Sequence, residues 1–206
     1  LYDEGLLYVL IGKAYRNVNQ TIYVDNDNVL AGREAADYLF GLGHRRIAYL
    51  SGDHSLLFNK DRKSGYLLSL AEHQVPFRPD LCIEAPEVPE ERNLALETLL
   101  TAQDRPTAVL VSDDILAMAL EKTCAELGIS IPGDLSIISF NNSLFARLTY
   151  PPLTSMDINS FQLGIEAASQ MISHIETPDL MATKTIVPHH IVARESCKAV
   201  IGETCV

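Results

Sequence analysis

Short runs of consecutive apolar residues alternate along the chain with longer stretches in which apolar positions recur at every third or fourth residue. The runs predict buried strands and the stretches predict amphipathic helices. Leu6 to Gly12 (LLYVLIG) and Thr21 to Val24 (TIYV) are the first two strands. Asp25-Asn26-Asp27-Asn28 follows, a polar turn able to cap a helix. Val29 to Gly41 continues that helix, with Val29, Ala36, Leu39 and Phe40 on one stripe. After Gly43 comes the strand Ile47 to Leu50 (IAYL). The alternation then repeats. Helices are expected over Asn59 to Gln74, Glu90 to Ala102, Asp113 to Leu127 and Asn159 to Ile175. Strands are expected over Leu81 to Ile83, Ala108 to Val111, Leu135 to Phe140, and Thr185 to Val192 with Pro188 inside it. Short connections between alternating strands and helices predict doubly wound α/β sheets with helices on both faces. No repeat of fixed period and no Gly-, Pro- or Ser-rich linker breaks the pattern.

Composition narrows the class. At 206 residues the chain makes one domain or two small ones, and 47% hydrophobic with 21% charged residues is the balance of a globular fold. No apolar run reaches the length of about 18 residues that a spanning helix needs. The 27 acidic against 16 basic residues give a net charge of −11, which disfavours a phosphate backbone or an anionic membrane as a direct partner. Leu1 to Gly5 lacks a basic leader, and the chain opens on leucine. It is therefore expected to start inside a longer protein, of cytoplasmic location. Cys82, Cys124, Cys197 and Cys205 form no CxxC pair, which predicts reduced thiols. His189 and His190 are adjacent and would face opposite ways on a strand. No metal or other cofactor is expected.

Enzyme signatures are absent: there is no GxGxxG after a strand, no GxxxxGK[ST], no HExxH and no GxSxG. Asp113-Asp114 would diverge by about 100 degrees on a helix, so the pair does not serve one centre. In wound sheets ligands bind beyond the C-terminal strand ends. Those ends carry Lys13, Ser51-Gly52-Asp53-His54, Ser112-Asp113-Asp114 and Asn141-Asn142. A cation, hydroxyls, carboxylates and amides suit a neutral polyhydroxy ligand. Ser112 and Asp113 could equally cap the following helix, and the two roles can coexist.

Several strings in the chain resemble the LacI/GalR family of bacterial transcription regulators. They are Val24-Asp25-Asn26-Asp27-Asn28, Ala31-Gly32-Arg33-Glu34-Ala35-Ala36 and Leu42-Gly43-His44-Arg45-Arg46-Ile47-Ala48. Arg62-Lys63-Ser64-Gly65-Tyr66, Val111-Ser112-Asp113-Asp114, Ile131-Pro132-Gly133-Asp134, Phe140-Asn141-Asn142 and Pro151-Pro152-Leu153-Thr154-Ser155 follow in the family's order. The resemblance implies a periplasmic-binding-protein-like α/β fold. That fold has two doubly wound parallel-sheet subdomains joined by crossovers, with the N-terminal one incomplete here. The expected division is 1–24 with 159–187 for the N-terminal subdomain, and 25–158 with 188–206 for the C-terminal, effector-binding one.

The resemblance also implies roles. Arg62 sits where the family's arginine reaches sugar hydroxyls, Asp113 where an Asn or Asp contacts ligand, and Asn141 where many members carry an aspartate. Lys13 is a weaker match at the mouth of the first strand, and Tyr23 either stacks on a sugar or fills core. Tyr150, Pro151 and Pro152 fall at the family's homodimer contacts, or form a simple loop. The implied protein is a sugar-responsive repressor. A small sugar or sugar phosphate would bind between the subdomains and alter operator binding by an N-terminal helix-turn-helix absent from this sequence. Phe140-Asn141-Asn142-Ser143 and the Asp157 to Gly164 string are closest to maltose-operon repressors. A phosphocarrier protein is an alternative effector. The alternative function is a periplasmic or lipid-anchored sugar receptor, and an enzyme of the same fold class is a further rival.

Overall fold

The computed structural model describes residues 5–200; Cys205 and the first four residues lie outside that range. The described chain forms two compact units. Residues through Asp27 with Ile158–His189 make the first; Asn28–Asp157 and the residues from His190 onward make the second.

The first unit holds β1 (Val9–Ile11), β2 (Ile22–Asp25) and β8 (Lys184–Ile186) in a parallel sheet of order β1-β2-β8. Helix α6 (Ser160–Glu176) packs on it through Leu163 and Ala167, against Val24 and Val187. Asn26 ties the unit's chain segments together. Its side-chain amide donates to Ile158 O at 3.0 Å and to Val187 O at 2.8 Å.

The second unit is built on a six-stranded sheet of order β4-β3-β5-β6-β7-β9. Its strands are β3 (Ile47–Ser51), β4 (Cys82–Glu84), β5 (Ala108–Val111), β6 (Ser136–Phe140), β7 (Thr154–Asp157) and β9 (His190–Val192). All pairs are parallel except β7 with β9. Helices cover both faces, so a strand such as β5 buries every residue. Ala108 and Leu110 enter the core under α1 (Asn28–Gly41) and α2 (Leu57–Glu72). Val109 and Val111 enter the core under α3 (Pro89–Thr101) and α4 (Asp114–Glu126). This is the period-two alternation of a strand read onto two cores.

α1 and α2 approach at backbone contact. A Cβ on Gly32 would sit 2.2 Å from Arg62 O, and one on Gly65 would sit 2.0 Å from Val29 O. Only glycine allows that approach, and it is what brings Arg62 beside the first turn of α1.

Two expectations need correction. The single strand Thr185 to Val192 is two strands in different sheets, β8 and β9. Pro188 has no N–H to donate to a ladder, and the chain leaves one unit for the other around it. The helix α5 (Leu144–Leu148) and the strand β7 lie in a stretch where the apolar pattern predicts nothing.

His44 anchors the opposite edge of the second sheet, at the start of β3. Its ring is 3% exposed. Nε2 lies 3.0 Å from Ser136 Oγ and 3.2 Å from Lys198 O, and Nδ1 lies 2.9 Å from Thr107 Oγ1, so both ring nitrogens are engaged. Burial lowers the His44 pKa below its ordinary 6.5. The fold thus favours the neutral ring, while the unfolded chain protonates freely. Stability from this group is present above pH 6.5 and is lost as the pH falls toward the lowered folded value. Thermal unfolding at pH 7.5 and pH 5.5 should show a drop in Tm that a His44→Asn variant lacks. An equal drop in both proteins would refute the assignment.

Candidate functional site

The polar residues of the second unit converge at the C-terminal ends of β3, β5 and β6. Arg62 is 4% exposed although it is charged. Its Nε donates to Asn28 Oδ1 at 3.0 Å and its Nη1 to Ser112 O at 2.7 Å. The guanidinium lies over the Phe140 ring at 4.2 Å from the centroid, with Phe58 at 5.0 Å. Such an arginine is fixed before any ligand arrives: its planar fork is oriented by hydrogen bonds and by stacking. The Gly32–Gly65 contact sets its height, and Asn28 sets its rotation.

Asp113 ends the loop after β5. Its backbone is extended, and Oδ1 accepts from Leu116 N at 2.8 Å, so it caps α4. Oδ2 accepts from the Ser112 hydroxyl at 3.2 Å. Asp114 turns the other way and is 2% exposed. Its Oδ1 accepts from Ser139 Oγ at 2.6 Å and Ser155 Oγ at 2.9 Å, and its Oδ2 from Ser143 N at 2.7 Å. The adjacent carboxylates therefore do different work: one faces the strand ends, and the other fastens the loop after β6.

That loop places Asn141 at φ +96 and Asn142 at φ +45, two successive left-handed residues. Asparagine tolerates this region better than most residues. Asn142 is fully engaged: it donates to Asp157 Oδ2 at 2.8 Å and accepts from Arg194. The Asn141 backbone N donates to Met156 O at 2.9 Å. No hydrogen bond holds its side-chain amide among the described residues, so both its donor and its acceptor are available.

Arg62, Asp113 and Asn141 thus share one edge of the second sheet. Lys13 and Tyr23 belong to the first unit: Lys13 is exposed beyond β1, and Tyr23 is half-buried in β2. Tyr150 is 95% exposed in the β6–β7 connection, next to the half-buried Pro151 and Pro152. Sequence reasoning assigned no site role to Asn28 or Phe140, and quoted Asp114 beside Asp113 without a role of its own. Asn28 was visible only as a polar turn residue, and Phe140 only as the last apolar position of a strand.

Ser51, His54 and Glu84 have hydrolase-like spacing. His54 Nε2 is 2.6 Å from Ser51 Oγ and Nδ1 is 3.0 Å from Glu84 Oε2. Ser51 is 0% exposed, and its contact with His54 ties the loop after β3 to the strand end. Among the described residues no group of three or more His, Cys, Asp or Glu side chains could hold a metal ion, and Cys82, Cys124 and Cys197 are free thiols. No helix there is long and apolar enough to cross a membrane. What the site offers is a fixed guanidinium, a carboxylate and an amide at a sheet edge, which is chemistry for binding hydroxyls.

An α/β sheet with a polar cluster at its strand ends is the architecture of periplasmic binding proteins. The chain belongs to the family of the periplasmic binding protein-like domain, whose pattern matches residues 36–197. Its relatives within that family are LacI-type repressors. The HTH-type transcriptional repressor PurR of Mannheimia succiniciproducens is 29% identical over 184 residues, which are 89% of this chain and 55% of that protein. A solved structure named for a LacI transcriptional regulator of Bacillus cereus subsp. cytotoxis NVH 391-98 is 34% identical. It has a TM-score of 0.90, over 97% of this chain and 71% of that one. The transcriptional regulator CelR in complex with cellobiose is 26% identical with a TM-score of 0.85, over 93% of this chain and 59% of that one. The chain spans little more than half the length of the curated relatives it matches, between 55% and 59% for three of them.

Proposed function

We propose that this chain is the effector-binding and dimerisation core of a bacterial transcription repressor that responds to a small sugar or sugar phosphate. The observation that carries the reading is Arg62, a buried guanidinium locked by Asn28, Ser112 and Phe140 beside Asp113 and the unengaged amide of Asn141. A purely structural core has little use for a charge at 4% exposure on a polar strand edge. Lys13 and Tyr23 are the contacts that the same reading assigns to the first unit. The relatives' names favour a regulator over a transport receptor or an enzyme. They also favour action in the cytoplasm, where operator DNA is bound through a separate helix-turn-helix. The sugar of first choice is a maltodextrin, from the sequence around Asn141. Ligand and operator each bias the same conformational equilibrium, so each changes the other's affinity by the same factor.

Calorimetric titration of the full-length protein with maltose and other common sugars tests the reading. Arg62→Ala should weaken the binding of the responding sugar by about tenfold to a hundredfold, the loss of a charged hydrogen bond. Arg62→Lys, which keeps the charge but loses the fork, should fall between Arg62→Ala and wild type. If no sugar or sugar phosphate binds, and operator affinity ignores all of them, the reading is wrong.

For the partner surface we propose that Tyr150, Pro151 and Pro152 join the exposed apolar side chains of α5 in a homodimer contact. Leu144 is 65% and Leu148 70% exposed there. Tyr150→Asp with Leu148→Asp should convert a dimer to a monomer in sedimentation. An unchanged sedimentation coefficient would remove this face from consideration.

A further inference from the structure

A cavity of about 350 Å³ opens on the first unit, at the end of its sheet where β1 and β2 begin and α6 finishes. That end is opposite to the one where Lys13 follows β1. Leu6, Leu7, Ile22 and Pro178 give the cavity apolar walls, and the side chains of Tyr8 and His174 add aromatic surface.

His174 is the informative residue. It stands in the last turn of α6 and is 5% exposed, yet its Nε2 has no hydrogen-bond partner among the described residues. A ring nitrogen taken out of water and left unpaired is unfavourable unless something else bonds to it. The neighbouring polar groups answer one another. Thr21 Oγ1 donates to Asn17 O at 3.1 Å, and the Tyr8 hydroxyl lies 3.5 Å from Thr21 Oγ1. Among the described side chains that line the cavity, His174 Nε2 is the buried polar atom left unanswered.

The lining selects the ligand. Among the described residues no Asp, Glu, Lys or Arg lines the cavity. An ionised group would lose its hydration there and meet no counter-charge. The C-terminal end of α6 carries partial negative charge, which disfavours an anion in particular. A sugar ring would press most of its hydroxyls onto leucine and isoleucine, where nothing bonds to them. A flat neutral ring with a single hydroxyl meets every wall. The ring packs on Leu6, Leu7 and Ile22 beside Tyr8. The hydroxyl both donates and accepts, so it serves His174 Nε2 in either tautomer.

We propose that this cavity is a binding site for a small uncharged phenolic ring, held through its hydroxyl by His174 and through its ring by Leu7 and Ile22. The inference does not rest on the sugar-binding reading, since the two sites share no residue. Calorimetric titration of the full-length protein at pH 7.5 with phenol, toluene, benzoate and benzylamine tests it. Phenol should bind about tenfold tighter than toluene, the scale of satisfying one buried polar group. Benzoate and benzylamine should bind more weakly than phenol. His174→Phe keeps a ring and loses the nitrogen, so phenol should fall to the affinity of toluene. Leu7→Trp fills the cavity from its exposed rim and should abolish the binding of both. Thermal unfolding shows whether each variant is folded; if His174→Phe is not, Leu7→Trp and the order of the four compounds decide. No binding of phenol, equal affinity for phenol and toluene in the wild type, or a preference for phenol that survives His174→Phe would overturn the site. So would phenol binding untouched by Leu7→Trp, or tightest binding by benzoate or benzylamine.

Discussion

Gly65→Ala is expected to destabilise the protein by about 3 kcal/mol or more, at the upper end of the usual cost of overpacking. The added Cβ would lie 2.0 Å from Val29 O and 2.5 Å from Arg33 N, both backbone atoms of the facing helix. Backbone cannot rotate aside as a side chain can, so α1 and α2 must separate. Helix propensity argues the other way, since alanine gains about 1 kcal/mol over glycine within a helix. Gly164 in α6 supplies the control, because nothing lies within 4 Å of a Cβ built there. Gly164→Ala should therefore stabilise by about 0.5–1 kcal/mol. Urea unfolding of both variants checks the pair; two changes of the same sign would contradict the steric account. Gly65→Ala should also weaken ligand binding, because the same contact sets Arg62 against Asn28.

Asp114→Ala is expected to cost about 2–3 kcal/mol, the scale of losing buried hydrogen bonds to a charged group. Its carboxylate takes three donors, two serine hydroxyls and one backbone N–H. Removing it strands those donors in a region where Ser139 and Ser155 are 0% exposed. Asp114→Asn keeps the shape and should cost less, since one oxygen remains and the hydroxyls can turn. The loop carrying Asn141 is fastened through Ser143, so the alanine variant should lose ligand affinity as well as stability. Equal midpoints for Asp114→Ala and wild type in urea would show that other groups hold this loop.

Most strands and helices of the second unit were legible because their side chains are sorted by the two cores. Every residue of β5 is buried, and AVLV announces it. β7 was not legible for the opposite reason. Thr154 and Ser155 are buried polar residues whose partners, Arg194 and Asp114, lie 40 and 41 residues away. A strand satisfied by distant partners leaves no local pattern. Thr185 to Val192 misled because its β-forming residues continue through a proline that separates two sheets.

The sequence by itself determined the class of fold, the alternation of its elements and which strand ends carry polar residues. These follow from local chemistry: hydrophobic period, caps and turn residues act over a few neighbours. Only the tertiary structure decided that Arg62 is a buried, fixed fork and that Asp113 and Asp114 divide capping from anchoring. It also showed that Ser51 is buried, held to His54 in the loop after β3. Most of these depend on groups tens of residues apart meeting at one sheet edge, where exposure and partner, rather than residue type, set what a side chain can do.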